Sequence, residues 1–226
     1  MGGATPKTLL PLGERGPMLQ YILEGLKKAP LDDLMIVTGH RAGEVEEYVS
    51  EHWDGTPVTF VRNMRFGSWG NFHSVRTALD QSPGMDLMVV NCDVIVNPEV
   101  YGRVAAKAGD LILAVQRKKK LDMEDMRVRV EGDRVLAVSK QLNIRNSHGE
   151  YAGVSLLRGA APRLYGDISN GLEWSARTHI YYEDVYDMMF GGLDSRSAEV
   201  KDGEYAEVDT PDDIPAAVEV IDRFYA

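Results

Sequence analysis

The sequence has little that would tie it to an oxidising compartment, a membrane or a nucleic acid. Cys92 is its single cysteine, so no disulfide can close within the chain. No apolar run is long enough to span a bilayer and no signal-peptide pattern is visible, which makes a reducing cytoplasm the expected setting. Basic residues are the minority: 25 Lys and Arg against 35 Asp and Glu leave a formal net charge of −10. A phosphate backbone or an anionic lipid surface needs clustered cations, so neither nucleic acid nor membrane is expected as a partner. The one charge run, RKKK at 117–120, reads as a solvated loop. No G-x-G-x-x-G follows a strand, which disfavours a dinucleotide-binding oxidoreductase. His40 and His73 lack metal-ligand spacing with each other or with Cys92, which disfavours zinc.

What is present is an alternation of short apolar runs and helical patterns. The 226 residues with 44% hydrophobic content can bury one sizeable core, so residues 1–226 are expected to form a single domain. Spacing predicts helices over 18–26, 43–52 and 71–80, and strands over 34–39, 58–61 and 86–90. Strands that are continuously apolar and followed by helices suit a mostly parallel sheet covered on both faces, where ligands sit beyond the carboxyl ends of the strands. Past residue 110 the pattern becomes LILAVQ, MRVRVEGDRVLAVSK and EYAGVSLL, with EGDR a hairpin turn, and this half reads as an antiparallel addition carrying substrate contacts.

Two carboxylates stand at strand ends. LMVVNCDVIVNPEVY delivers Asp93 beyond a buried strand, with Pro98 marking a turn, and EYAEVDTPDDIPAAVEVI places Asp209 beyond a short strand, with Thr210, Pro211 and Asp212 opening the last helix. Either acid could instead cap a turn, but Asp209 lies outside the cap of that helix, where Thr210 or Asp212 is expected to serve. Meeting at one sheet edge, the pair could hold a hard Mg²⁺ and leave positions for phosphate oxygens and water.

TPKTLLPLGERGPMLQYILEGL, IVTGH, NMRFGSWGNFHSV, VVNCDVIV, EYAGVSLL and EVDTPDD follow one another as in the MobA-like nucleotidyltransferases, which the chain resembles over nearly its whole length. Within that group it is similar to the cytidylyltransferases that activate phosphocholine, inositol 1-phosphate or phosphonates. LDMEDMRVRVEGDRVLAVSKQL and GEYAGVSLL are nearest to those acting on phosphonates. The resemblance implies a Rossmann-like three-layer α/β/α nucleotidyltransferase fold with a mostly parallel mixed sheet and a small antiparallel addition on the substrate side. It also implies transfer of CMP from CTP to a phosphonate or phospho-alcohol with release of pyrophosphate, dependent on Mg²⁺, and leaves homodimerisation open. Members of the family begin with a strand and a Gly-rich loop of the form LAAGxGxR. None is present here, so the chain is expected to start about one strand and one loop late, through a misassigned start, a truncation or a loss of activity.

Site roles follow from the same resemblance. It implies that Lys7 neutralises the nucleotide phosphates, that Asp93 and Asp209 hold Mg²⁺, and that Lys140 receives the acceptor anion. It places Thr38 and Gly39 at the base, and Asn71 and Ser74 near nucleotide and metal. The plain reading of the last pair is a helix N-cap by Asn71 or Ser68. For the acceptor, Glu150, Tyr181, Tyr182, Glu183 and Asp184 combine aromatic faces and carboxylates suited to an ammonium group. The alternative for IYYEDVYDMM is an amphipathic helix start, with Val185, Met188 and Met189 in the core and the acids at its N-terminus. A sugar-1-phosphate nucleotidyltransferase and a non-catalytic nucleotide-binding relic stay open. A metal-dependent glycosyltransferase is disfavoured because its usual Asp-x-Asp pair would need an acid where Asn91 stands.

Overall fold

Hydrophobic spacing sets the elements. The structure, a computed structural model, describes residues 5–117 and 120–225. Apolar residues every three or four positions form α1 (Met18–Leu26), which buries Met18, Leu19, Ile22, Leu23 and Leu26 on one side. β1 (Leu34–Thr38), α2 (Ala42–His52), β2 (Val58–Arg62), α3 (Phe72–Gln81) and β3 (Leu87–Val90) continue the expected alternation. The next two elements escape the sequence reading. β4 (Val94–Val96) is only three residues long, and α4 (Glu99–Ala106) starts directly after Pro98, where a turn was the expectation.

β5 (Leu111–Gln116) is followed by the hairpin of β6 (Arg127–Glu131) and β7 (Arg134–Ser139), which turns at Gly132, with φ +62°. β8 (Gly149–Leu157) contains Glu150 as its second residue. Then come α5 (Ala161–Gly171), α6 (Tyr182–Met189), β9 (Ser195–Val200), β10 (Tyr205–Glu207) and α7 (Ile214–Phe224).

The larger sheet has the order β3-β8-β5-β9-β7-β6, with the start of β8 also bonded to β6. β1 and β2 pair in parallel, and β4 and β10 pair antiparallel. The expected mostly parallel character needs correction: direct parallel pairing among the described residues is confined to β1–β2 and β5–β9. The cause is β8, which inserts antiparallel between β3 and β5, so that these two run in the same direction without touching.

Side chains of β5 alternate between two cores. Ile112 and Ala114 face a cluster with α1, β4, α4 and α7, whereas Leu111, Leu113 and Val115 face α3, α5 and α6. Helices thus cover both faces, the three-layer arrangement, and each fully buried Leu or Ile contributes about 1.5–3 kcal/mol. In the middle of β8, Gly153 takes φ +71°, and a Cβ there would press within 3.0 Å of Asn91 and Val94 side chains. This close approach lets the Gly153 carbonyl accept the Asn91 amide at 2.8 Å and fixes the turn between β3 and β4.

Candidate active site

That turn carries Asp93. β10 lies against β4 with Glu207 opposite Val94, and the Val208 amide donates to the Asp93 carbonyl at 2.9 Å. The register therefore sets Glu207 and Asp209 beside Asp93, and carboxylate oxygens of all three lie within 4.8 Å of one another. Lys7, on a single 3-10 turn after Pro6, sends its ammonium to Asp209 Oδ1 at 2.7 Å and lies 4.0 Å from Asp93 Oδ2.

Charge in this cluster is incompletely balanced. Burial holds the Asp93 carboxyl above the usual range, with Lys7 opposing the shift and Asp209 adding to it. Glu207 is raised by burial, then by Asp93 and Asp209. The positive charge of Lys140 lowers both, so the ammonium of Lys140 acts on the same cluster. Asp93 Oδ1 is buried and accepts no hydrogen bond among the described residues. Three converging carboxylates with an unsatisfied oxygen fit a hard divalent cation, which takes oxygen ligands.

A second region adjoins the first. Asn71 precedes α3, but its side chain makes no cap bond; its Oδ1 accepts the Tyr182 amide at 2.9 Å, and Ser68 Oγ donates to the Arg65 carbonyl. The cap reading of Asn71 and Ser68 is thereby corrected. Tyr182 Oη lies 2.6 Å from Asn91 Oδ1 and 3.0 Å from Tyr151 Oη. With one phenolic proton, Tyr182 donates to the asparagine, and the Tyr151 hydroxyl can donate to Tyr182. Tyr186 meets Tyr182 edge-on at 5.2 Å and shares a hydrogen bond with Ser155.

Against this aromatic wall lies Glu183, 4% exposed. Burial pushes its carboxyl up to about 8, with smaller contributions from Asp184 and Asp93, and Oε2 has no hydrogen-bond partner among the described residues. At neutral pH this acid is largely protonated, and an arriving cation would draw out its charge.

A tight seam borders the second region. Gly70 donates its amide to the Arg177 carbonyl at 2.8 Å, and a Cβ at position 70 would stand 1.9 Å from the Ile180 carbonyl oxygen. The Arg177 guanidinium lies 5.0 Å from the Trp69 ring and 5.7 Å from Trp174, joining the same two segments.

Lys7, Asp93, Asp209 and Lys140 thus act on one cluster, with Tyr182 and Glu183 beside it. Glu150 is buried, and its charge reaches the Tyr205 hydroxyl, which donates to Glu207 at 3.2 Å. Asp184 differs: its Oδ2 accepts the Tyr181 amide at 2.8 Å, so it serves the N-terminus of α6. On that helix Val185 and Met189 are buried, but Met188 is exposed, correcting its core assignment. At the last helix, Thr210 takes the N-cap position, one of the two residues expected there, and the Asp213 carboxylate, not Asp212, completes the capping box by accepting from the amides of Asp209 and Thr210 and from the Thr210 hydroxyl.

Thr38 donates its hydroxyl to Glu46 at 3.0 Å, and Ser74 Oγ accepts from Asn63 at 3.0 Å, so both side chains are committed to neighbours. Gly39 leaves room for the Phe66 ring, which a Cβ would meet at 2.7 Å. Of the run 117–120, Lys118 and Lys119 lie outside the described residues. Sequence reasoning missed Glu207, although EVD alternation puts it on the face of Asp209. It also missed Tyr151, which a single strand pattern cannot aim at a distant helix.

Comparison with known proteins bears on the fold and the family. In fold the chain is similar to the inositol-1-phosphate CTP transferase of T. maritima, with a TM-score of 0.78 at 17% identity, covering 98% of this chain and 89% of that one. It is likewise similar to the CTP:phosphocholine cytidylyltransferase of Streptococcus pneumoniae, with a TM-score of 0.72 at 16% identity over 96% and 90% of the two chains. In sequence it is 28% identical over 222 residues to the CMP-5'-(3-aminopropyl)phosphonate synthase of Streptomyces rubellomurinus; the match covers 92% of this chain and 34% of that protein, so the chain spans about a third of the relative's length. The MobA-like NTP transferase domain matches residues 1–163, and the chain belongs to that family of nucleotidyltransferases.

Proposed function

We propose that this protein is a cytidylyltransferase that moves CMP from CTP to an aminoalkylphosphonate or a related phospho-alcohol and releases pyrophosphate. The observation that carries the reading is the meeting of Asp93, Glu207 and Asp209 with Lys7 at the end of β3, within a nucleotidyltransferase fold. The acceptor class draws support from the name of the Streptomyces relative and from Glu183, a buried carboxyl beside tyrosine rings that suits an ammonium group.

An oxygen of the acceptor anion attacks the α-phosphorus of CTP; the new P–O bond forms as the α–β phosphoanhydride bond breaks, and pyrophosphate carries away the electron pair. The acceptor oxygen is already ionised, so no protein nucleophile or general base is required, and positioning with charge stabilisation does the catalysis. Lys7 would neutralise the triphosphate, Lys140 would receive the acceptor anion, and Glu183 would meet the far ammonium. Asp93, Glu207 and Asp209 would hold Mg²⁺, which supplies charge screening between triphosphate and acceptor. A cytoplasmic setting suits the lone cysteine, and no described helix is long and apolar enough to cross a membrane.

The test is pyrophosphate release with each nucleoside triphosphate against 2-aminoethylphosphonate, 3-aminopropylphosphonate, phosphocholine, inositol 1-phosphate and a sugar 1-phosphate, with and without Mg²⁺. Metal-dependent release with CTP and an aminophosphonate is expected. Release only with a sugar 1-phosphate would move the reading to sugar-nucleotide synthesis, and silence from folded protein would overturn it.

A further inference from the structure

Arg127 is the largest side chain to be fully buried, 1% exposed, and cannot shed its charge. Such a charge must be answered where it lies. Three main-chain carbonyls accept its N–H donors, Nε giving to Leu142 at 2.8 Å, Nη1 to Asp122 and Nη2 to Lys140, and the buried Glu150 stands opposite it across the β6–β8 pairing. These carbonyls belong to the two segments that flank the β6–β7 hairpin, residues 120–126 before it and 140–143 after it. The first segment is further tied within itself, since the Asp122 amide donates to Asp125 and the amides of Glu124 and Asp125 donate to the Asp122 carboxylate.

Lys140 emerges from this clamp with its ammonium 3.8 Å from Glu124 and 5.9 Å from the centre of the Tyr181 ring. On the other side, the Val138 amide donates to Asp187 of α6 at 2.9 Å and fixes β7 to the helix that carries Tyr182 and Glu183. The place of the Lys140 ammonium therefore depends on how the two flanking segments are held together. Only a fork with several fixed donors reaches three carbonyls arriving from two segments; a lysine in that position is a point charge.

We propose that Arg127 is a positioning residue, which fixes the main chain at Lys140 and through it the point where the acceptor anion is received. This rests on the role given to Lys140 above. The clamp lies on the acceptor half, so its loss should spare the nucleotide.

Arg127→Lys tests it. Acceptor KM is expected to rise about 10- to 100-fold, the scale on which misplacement of about 1 Å acts, while CTP KM stays within about twofold. In Arg127→Lys combined with Lys140→Ala, acceptor KM should rise no further than in Lys140→Ala alone. Amide hydrogen exchange should quicken in 120–126 and 140–143 and stay unchanged in β5 and β9. Parallel rises in both KM values, additive effects in the double variant, or unchanged exchange in the two segments would each overturn the proposal. If wild type releases no pyrophosphate with any pair, the cytidylyltransferase reading fails on its own, and exchange still decides the clamp. Should Arg127→Lys not fold, the wild-type Arg127 Nε–H is expected to give a slowly exchanging NMR signal at neutral pH, and rapid exchange there would sink the clamp.

Discussion

Two groups of carboxyl side chains lie side by side in this molecule and are treated oppositely by their surroundings. Asp93, Glu207 and Asp209 gather on strand ends and turns, crowded with one another and answered by Lys7 and, at longer range, Lys140. Glu183 lies buried among tyrosine rings with one oxygen unpartnered among the described residues. The first group keeps excess negative charge and so suits a metal cation; the second holds a proton at neutral pH and gains charge when a cation arrives. One residue type is thus made into two reagents by hydration and neighbours, and substitutions at each group should separate along those lines.

The largest effect is expected at the first group. Asp93→Asn should lower turnover by about 10²–10³ or more, as loss of a charge-stabilising contact does, and leave the thermal midpoint about unchanged. Steady-state pyrophosphate release and a melting curve read both, and undiminished turnover would erase the assignment of the cluster. Glu207→Gln should cost less, about 10- to 100-fold, and raise the Mg²⁺ concentration needed for half-maximal rate.

At the second group, Glu183→Gln should raise KM for amino-bearing acceptors about tenfold, in the range for a charge-assisted contact, and leave an acceptor without an ammonium unaffected. The variant also carries a pH signature. With the folded carboxyl near 8 and an ordinary value of 4.5, the native state keeps a proton that the unfolded chain has released between those values. Stability should therefore fall as pH rises through that window and level off above about 8, and Glu183→Gln should flatten the slope of melting temperature against pH. The smallest effect belongs to the neighbouring acid. Asp184→Ala removes an N-terminal acceptor of α6 and should cost about 0.5–2 kcal/mol of stability with acceptor KM unmoved. If Asp184→Ala disturbs acceptor binding as much as Glu183→Gln, the contrast between the two groups collapses.

Much of this was legible in the chain, and the gaps have physical causes. Periodicity located the helices and strands through β3 because each buries a stripe of fixed spacing, but spacing says nothing about which strand is the neighbour, and β8 between β3 and β5 was invisible to it. β4 is too short to carry a pattern. Asp93 and Asp209 stood out as acids beyond apolar runs. Glu207 did not, because its role depends on the pairing of β10 with β4. Asn71 read as a cap since its type and place fit one, yet its oxygen is taken by the amide of Tyr182. Glu183 and Asp184 look equivalent in YYED, and only the turn of α6 sends one inward and uses the other at the helix end.

The contact of Gly70 with the Ile180 carbonyl bears on how acceptor preference can change over evolution or in the laboratory. With a Cβ there only 1.9 Å from the Ile180 carbonyl oxygen, the contact between the segment before α3 and the segment before α6 admits not even a methyl group at position 70. On the proposed reading, diversification toward other acceptors falls to the faces of α6 and β8, where Tyr182, Glu183 and Tyr151 stand, and a selection for altered acceptors should return substitutions at those residues while position 70 stays glycine.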